Sequence, residues 1–149
     1  MTNSAFTAVM NLLRANARIE EQFAGELGAV HGLALKEVLL LMHLESSTAG
    51  RLSRVDLARR LNTSASTVTR MTIPLEKSHF VGRESDPRDA RLAYVVLTEA
   101  GREIVTNART TLERKSVEVF RDRWTKTEIA TLADFLGRMT AGQPGDFAK

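Results

Sequence analysis

The sequence predicts a mainly α-helical fold with one small β-hairpin, in a single domain spanning residues 1–149. Three observations support this prediction. Long helical periodicities occupy both ends of the chain, two shorter helices fill the centre, and a β-branched and aromatic segment, Leu92–Leu97, follows them. With 149 residues, of which 43% are apolar, the chain has enough material for one hydrophobic core.

The first two predicted helices differ in how much of their surface is apolar. From Phe6 to Val30, apolar residues recur at three- and four-residue steps, which predicts a long amphipathic helix that ends near Gly32. From Leu35 to Glu45 the apolar residues face almost all directions, which predicts a buried helix. Residues 46–50 then form a polar loop.

Two shorter helices follow in the centre of the chain. Ser53 and Asp56 have the spacing of a helix-capping box, and the helix that they open is expected to end near Leu61. A turn then leads into a longer helix from Ser64 to about Ser78.

After this pair, the pattern changes to strands. Residues 80–84 can pair with 92–97 around a polar loop that contains a proline, which predicts a hairpin with a long charged tip. Thr98 is placed to cap a second long helix, and Thr125 to cap a third. The tail at residues 142–145 is expected to fray.

Residues 54–71 have the spacing of a helix-turn-helix. Ala58 is small where the two helices must cross, and Asn62 stands at the turn, where a positive φ is often needed. Val68 and Met71 are placed to pack the second helix back on the first. These four matches at fixed offsets predict the motif.

The outward face of the second helix indicates a surface for nucleic acid. Its residues are Ser64, Ser66, Thr67, Thr69 and Arg70. Short hydroxyls and one arginine make a thin, donor-rich face that fits a major groove about 12 Å wide, and the helix N-terminus can hold a phosphate. The alternative is an ordinary solvated helix, but such faces usually carry Glu and Lys, whereas Ser and Thr are poor helix formers.

The predicted hairpin tip extends this surface. It carries Arg88 and Arg91, and an arginine in this position can reach a narrow minor groove. Asp86 and Asp89 lie beside them and are expected to orient the arginines. A charged hairpin tip by itself is usually only solvated, but after a helix-turn-helix it makes the winged form of that motif.

The charge distribution is compatible with this interpretation. The net charge is +3, and residues 51–91 carry nine Lys or Arg against five Asp or Glu, whereas the remainder carries twelve against thirteen. The positive excess therefore lies in the block that contains the predicted motif, as expected for contact with a polyanion. An ordinary solvated surface explains such a small excess nearly as well.

Several sequence motifs together resemble the MarR family of transcriptional regulators. They cover about residues 55–103, and the flanking helices match the family in length and order. The motifs are Leu57-Ala58-Arg59-Arg60-Leu61, Ser66-Thr67-Val68-Thr69-Arg70, Pro74-Leu75-Glu76-Lys77, Val81-Gly82-Arg83, Asp86-Pro87-Arg88-Asp89-Ala90-Arg91 and Leu97-Thr98-Glu99-Ala100-Gly101-Arg102. The Asp-x-Arg-Asp-x-Arg segment followed by Leu-Thr-Glu-x-Gly is the most specific of them.

The resemblance implies a homodimeric repressor on a pseudo-palindromic double-stranded operator, commonly released by a small ligand. Its winged helix-turn-helix would span about residues 34–100, with dimerisation helices at 1–30 and 101–141. By position, Ser66, Thr67, Thr69 and Arg70 would read the major groove, and Arg88 and Arg91 would lie on the wing.

Two features depart from the family pattern. His79-Phe80 stands where the family usually has glycine and leucine, and a residue at this point often adopts the left-handed conformation. We therefore expect His79 to affect the angle of the wing. Pro74 lies inside the recognition helix, where it removes one backbone hydrogen bond and is expected to give a mild kink.

Apolar residues at the two ends of the chain exceed what one small winged domain is expected to bury. We expect them to be covered across a twofold axis. The expected interface residues are Phe6, Val9, Leu13, Val105, Leu112, Leu132 and Leu136.

Other functions find little support in the sequence. There is no cysteine and no histidine pair at metal-ligand spacing, so we expect no metal site and no cofactor. No carboxylate pair accompanies a plausible nucleophile, which argues against an enzyme. Aromatic residues are absent between Arg51 and His79, which argues against single-strand binding. The remaining alternative is a dimeric helical adaptor or small-molecule-binding protein without DNA, for which the Ser, Thr and Arg face has no evident purpose.

One histidine is a candidate for binding a small ligand. In the family, ligands often occupy a crevice between the dimerisation helices and the winged domain. His43 is the main polar candidate in a crevice formed by the first, second and fifth helices, although a hydrogen-bonded core histidine is the favoured alternative. A small aromatic or phenolic effector is possible, as is none. Without a long apolar segment or an export signal, we expect a cytoplasmic protein with no membrane contact.

Overall fold

The computed structural model describes residues 3–145 and Phe147, and it confirms the predicted mainly helical fold with a small antiparallel sheet. The described residues form the following elements in chain order: α1 (Ser4–His31), α2 (Leu35–Ser46), a 3-10 turn (Thr48–Gly50), β1 (Arg51–Ser53), α3 (Arg54–Arg60), α4 (Ala65–Lys77), β2 (Val81–Ser85), β3 (Ala93–Leu97), α5 (Glu99–Val119) and α6 (Lys126–Thr140). The expected domain limits, 1–149, extend to terminal residues outside the described part.

Helix α2 lies at the centre of the hydrophobic core, as its apolar pattern predicts. Val38 and every residue from Leu40 to Leu44 are buried. Leu27 of α1, Val68 of α4 and Val105 of α5 belong to the same core, which therefore joins the first long helix to the central motif. Among the described residues, no single helix has both the length and the hydropathy needed to cross a membrane; α1 and α2 reach that only as a pair bent by 78°.

The sheet has three strands in the order β1-β3-β2, one more than the sequence predicts. Strands β2 and β3 form the predicted antiparallel hairpin, with Gly82 opposite Val96. The added strand β1 pairs antiparallel with β3, and its Leu52 lies opposite Val95. Three residues are too few to show a period-2 pattern, and their partners lie more than forty positions away, so the sequence alone gives no sign of this strand.

The hairpin returns to α5 through a close backbone contact. Thr98 caps α5 as predicted, because its Oγ1 accepts a hydrogen bond from Gly101 N at 3.0 Å. Gly101 packs against the backbone of Phe80, and a Cβ atom at Gly101 would overlap the Phe80 carbonyl oxygen and the Leu97 side chain. The glycine of the Leu-Thr-Glu-x-Gly motif is therefore required for space.

The seven expected dimer residues differ in how far the protomer buries them. Phe6, Val9 and Leu13 on α1 are exposed in the protomer, and Leu136 on α6 is partly exposed. The prediction for Val105 is wrong, because its side chain is 0% exposed inside the protomer core. Leu112, also expected at the interface, packs partly buried against that core. The remaining expected residue, Leu132, is half-buried on α6, a helix without a buried residue.

His43 is buried, but it is not the hydrogen-bonded core residue that the sequence favours. Its side chain is 3% exposed, and Nδ1 has no hydrogen-bond partner among the described residues. At the end of the tail that is expected to fray, Gly145 packs on the His43 ring, as does Phe147. Burial, assisted by the positive charge of Arg60, lowers the pKa of His43 from 6.5 to about 4.

The contact at Gly101 predicts a large effect of one methyl group. We expect Gly101→Ala to lower the free energy of unfolding by about 3 kcal/mol, because the backbone of Phe80 has no flexible end that could move aside. Urea denaturation would measure the loss. Gly25→Ala is the matched control: an added Cβ there meets nothing within 4 Å, so inside α1 it should stabilise by about 0.5–1 kcal/mol. Equal effects at the two positions would contradict the close contact.

The low pKa of His43 predicts a dependence of stability on pH. The unfolded chain binds a proton at this residue below about pH 6.5, whereas the folded chain does so only near pH 4. Stability should therefore fall between pH 6.5 and 4, by up to about 3 kcal/mol. In His43→Asn this loss should be absent, as urea unfolding at several pH values would show. Parallel pH profiles of the two proteins would contradict the burial of a neutral imidazole.

Candidate nucleic-acid interface

The helix-turn-helix forms where the sequence predicts it, from α3 and α4. Ser53 caps α3, since its Oγ accepts a hydrogen bond from Asp56 N at 3.1 Å. Ala58 is buried where the helices cross, and its carbonyl oxygen accepts from Thr63 N. Asn62 adopts φ = 52° at the turn, as predicted. Val68, fully buried, holds the second helix against the first.

The N-terminus of α4 carries a cluster of hydroxyl groups. Ser64 caps the helix by accepting from Thr67 N at 3.2 Å. The Ser64 Oγ atom also lies 3.1 Å from Ser66 Oγ and 2.9 Å from Thr67 Oγ1. The Arg70 guanidinium donates to Thr67 Oγ1 at 3.3 Å. The structure thus brings four predicted contact residues together in one exposed, hydrogen-bonded group on the first turns of the helix.

Arg54 belongs to the same surface, although it is not among the contact residues predicted from the sequence. Its Nη1 atom donates to Thr69 Oγ1 at 3.2 Å, and that hydroxyl donates to the Ala65 carbonyl oxygen at 3.0 Å. Thr69 is therefore held by both helices of the motif. The available signal was the position of Arg54, at the first residue of the helix that Ser53 caps, where a cation opposes the helix dipole and needs another partner.

The loop between β2 and β3 is shaped by its two aspartates. Asp86 Oδ1 accepts from the backbone N of Arg88 at 2.7 Å, and Asp89 Oδ1 accepts from the backbone N of Arg91 at 3.0 Å. The sequence predicts that these carboxylates orient the arginines. In the structure they hydrogen-bond the arginine backbone, and no ion pair with either guanidinium is found among the described residues. The aspartates fold the loop and leave both cations exposed.

Tyr94 and Arg51 anchor the base of this loop. The Tyr94 hydroxyl donates to Asp86 Oδ2 at 2.9 Å, and the Arg51 guanidinium lies 4.6 Å from the centre of the Tyr94 ring. Arg51 also pairs with Glu84 at 2.6 Å. Hydrogen bonds from Arg88 N and then Tyr94 hold the pKa of Asp86 below its usual value, and the same carboxylate raises the pKa of Tyr94. Asp86 therefore stays ionised at neutral pH.

The end of α4 is joined to the wing by His79. Its φ of 61° confirms the left-handed conformation that the sequence predicts at this position. The His79 carbonyl oxygen accepts from Thr98 Oγ1 at 2.6 Å, and Phe80 N donates to Leu75 O at 3.0 Å. Helix α4 continues through Pro74 to Lys77. Arg83 of β2 pairs with Glu76 of α4, which raises the pKa of the guanidinium.

The result is a surface with four exposed arginines on α3, α4 and the wing. Arg54, Arg70, Arg88 and Arg91 are all exposed, and none of them forms a salt bridge within residues 3–145 and Phe147. A cleft of about 300 Å³ lies between Arg54, Thr69 and Arg91, which shows that the wing begins beside the recognition helix. Such a surface can bind phosphates and present hydroxyls to base edges.

His43 of α2 faces the C-terminal tail. Gly145 and Phe147 contact its ring, and the charge of Arg60, at the end of α3, acts on it. The role of His43 in a ligand crevice between the first, second and fifth helices stays a prediction.

Comparison with known proteins identifies relatives of this arrangement. The MarR family model matches residues 33–92, which contain α2, α3, α4 and most of the wing. The uncharacterized HTH-type transcriptional regulator YdgJ of Bacillus subtilis is 32% identical over 105 residues, or 70% of this chain. The match spans 60% of the length of YdgJ.

Solved structures show the same fold over nearly the whole chain. Sco3205 of Streptomyces coelicolor, a MarR family regulator crystallised with DNA, has a TM-score of 0.82 at 22% identity, over 100% of this chain and 93% of that one. BpsR of Bordetella bronchiseptica, whose DNA binding is regulated by 6-hydroxynicotinic acid, has a TM-score of 0.78 at 22% identity, over 90% and 98%. The winged helix-turn-helix described above, within residues 33–92 of this chain, is therefore similar to that of the MarR family.

Proposed function

We propose that this protein is a sequence-specific, double-stranded DNA-binding transcriptional regulator that acts as a homodimeric repressor. The observation that carries the proposal is the exposed face of α4, where Ser66, Thr67, Thr69 and Arg70 lie together without an acidic neighbour on the face. Hydroxyls and a guanidinium of this kind suit the base edges of a major groove. The related Sco3205, crystallised with DNA, supports the proposal.

The wing has a different role in this proposal. Arg88 and Arg91 project from a loop whose backbone is fixed by Asp86 and Asp89. An arginine in the minor groove senses its width and negative potential but distinguishes A·T from T·A poorly. We therefore assign affinity to the wing and sequence discrimination to α4. Arg54, which holds Thr69, is placed to contact a backbone phosphate.

The homodimer is proposed from the apolar surface that the protomer leaves uncovered. Phe6, Val9 and Leu13 are exposed on α1, and Phe135 and Met139 on α6. Large apolar residues exposed at helical spacing on two helices favour an interface, and twofold symmetry is the commonest arrangement. Two recognition helices related by this axis would read half-sites about 10 base pairs apart, on a pseudo-palindromic operator.

Release of the operator by a small ligand is the last part of the proposal. The related BpsR responds to 6-hydroxynicotinic acid, an aromatic compound. A small aromatic or phenolic effector is therefore the class proposed for this chain.

Substitutions of Arg70 and Arg91 test whether α4 provides sequence discrimination and the wing provides affinity. We expect Arg70→Ala to lose about 1–3 kcal/mol on the operator and to relax discrimination at one base of each half-site. We expect Arg91→Ala to weaken specific and nonspecific DNA alike and to make the salt dependence of binding shallower. Fluorescence anisotropy with operator, single-base variants and unrelated duplexes at several salt concentrations would measure both effects.

The control for this pair is Arg121→Ala, which removes one exposed charge from the turn after α5. It should leave both affinity and discrimination close to those of the unmodified protein. Sequence-independent weakening by Arg70→Ala would instead show a phosphate contact. No loss with either variant would overturn the assignment of this surface to DNA.

The proposed interface predicts the oligomeric state. Light scattering at micromolar concentration should give about twice 16.5 kDa. Leu13→Glu, which places a charge at a position 58% exposed in the protomer, should shift the mass toward the monomer.

Ile73→Glu is the matched control, because Ile73 is 47% exposed but lies on the recognition helix. It should remain dimeric. A monomeric unmodified protein, or equal dissociation by both substitutions, would exclude the proposed face.

A further inference from the structure

The chain after α6 packs back onto the winged domain. The ring of Phe147 lies 4.2 Å from the ring of His43 on α2, at an angle of 38°. Gly145, at φ = 91°, covers the same imidazole so closely that an added Cβ would overlap Cε1 and Nδ1. Residues 141–145 and Phe147, here called the tail, therefore place an aromatic side chain on a residue of the core helix.

The His43 side chain, on which the tail packs, is unusual among buried polar groups. It is 97% buried, yet its Nδ1 atom has no hydrogen-bond partner among the described residues. A buried polar atom without a partner costs free energy, and such atoms are uncommon unless a ligand or water satisfies them. The imidazole is neutral at pH 7, so it presents a flat ring with one free polar position.

The Arg60 side chain lies beside the His43 ring. Arg60, the last residue of α3, lines a cleft of about 520 Å³ together with Asn62, Gln143, Gly145 and Phe147. Its charge is close enough to His43 to help lower the pKa of the imidazole. The cleft is within the size range of small-molecule sites, which usually combine a mostly apolar lining with a few polar groups.

We propose that His43 and Arg60 form a binding site for a small aromatic carboxylate, and that Phe147 is the resident occupant with which this ligand competes. The ligand ring would take the place of the Phe147 ring on His43, and its carboxylate would pair with the Arg60 guanidinium. The Phe147 side chain is an uncharged ring. A free aromatic carboxylate therefore gains an ion pair with Arg60 that the phenyl group does not make.

Competition with Phe147 sets the ligand concentration at which the site becomes occupied. The tail is attached to α6, so the Phe147 ring is present at a high effective concentration and only a ligand at sufficient concentration displaces it. Arg60 ends α3, and Asn62 forms the turn before the recognition helix. Exchange of Phe147 for a ligand therefore occurs next to the helix-turn-helix, which gives the proposed ligand response a specific location.

Benzoate is the probe that tests this site in the full-length protein without DNA. Phe147→Leu removes the competing ring, so it should bind benzoate roughly three- to tenfold more tightly than the unmodified protein, in line with the loss of one aromatic contact. Phe147→Tyr keeps the ring and should bind benzoate as the unmodified protein does. Binding is followed by the His43 Cε1–H resonance in NMR titrations and by calorimetry.

Two matched ligands and one further variant test separately the ring contact with His43 and the ion pair with Arg60. Cyclohexanecarboxylate lacks the aromatic ring and benzyl alcohol lacks the charge, so both should bind Phe147→Leu more weakly than benzoate. Arg60→Gln combined with Phe147→Leu should lose the gain in benzoate affinity. Equal benzoate affinity with and without Phe147, or no saturable shift of the His43 resonance in either protein, would overturn the proposal.

The inference deepens the ligand-release part of the proposed function, but its readouts do not require DNA. Loss of operator binding in the Arg70 and Arg91 variants with unchanged benzoate binding would support both proposals. A protein that binds benzoate at His43 but binds no operator would overturn only the proposed regulation of DNA.

Discussion

The backbone contact between Gly101 and Phe80 determines how the winged domain is attached to the long helices. At this point Thr98 Oγ1 donates to the His79 carbonyl oxygen and accepts from Gly101 N. Thr98 N donates to Phe80 O, which adds a third hydrogen bond within the same junction. The end of the recognition helix, the first strand of the hairpin and the start of α5 are thereby fixed together. In a twofold dimer built on the long helices, this junction would set the separation of the two recognition helices.

The distribution of acidic groups explains why a small net charge is compatible with a basic surface. Glu76 pairs with Arg83 and thereby links α4 to β2, whereas Glu84 pairs with Arg51 and links β2 to β1 within the sheet. Asp86 and Asp89 bind loop backbone. Four acidic groups in the central block therefore serve the fold, while the arginines on the exposed face keep their charge available. The +4 of residues 51–91 underestimates the local field at that face, because the sum ignores where each carboxylate points.

Helix caps and turn conformations were predictable from the sequence, whereas contacts between residues far apart in the chain were not. Ser53, Thr98 and Thr125 cap their helices as predicted, and Asn62 and His79 have the expected positive φ, because these features depend on neighbouring residues. Strand β1, the link from Arg54 to Thr69 and the burial of His43 under Phe147 depend on residues 15 to more than 100 positions apart. The error at Val105 has a related cause: α5 has apolar residues toward the core and toward its outer side, and periodicity cannot assign each residue to one of them.

Helix α6 connects the dimer and the tail. It has a regular apolar stripe and the complete Thr125–Glu128 capping box that the sequence predicts, yet none of its residues is buried in the protomer. An amphipathic helix is stabilised mainly by the cover over its apolar face, and the protomer supplies little of it. In the proposed dimer that cover comes from the second copy, while Phe147 at the far end holds the following chain on α2. The position of α6 would then depend on two contacts, one between protomers and one with the winged domain, so a ligand that releases the tail changes the second while leaving the first in place.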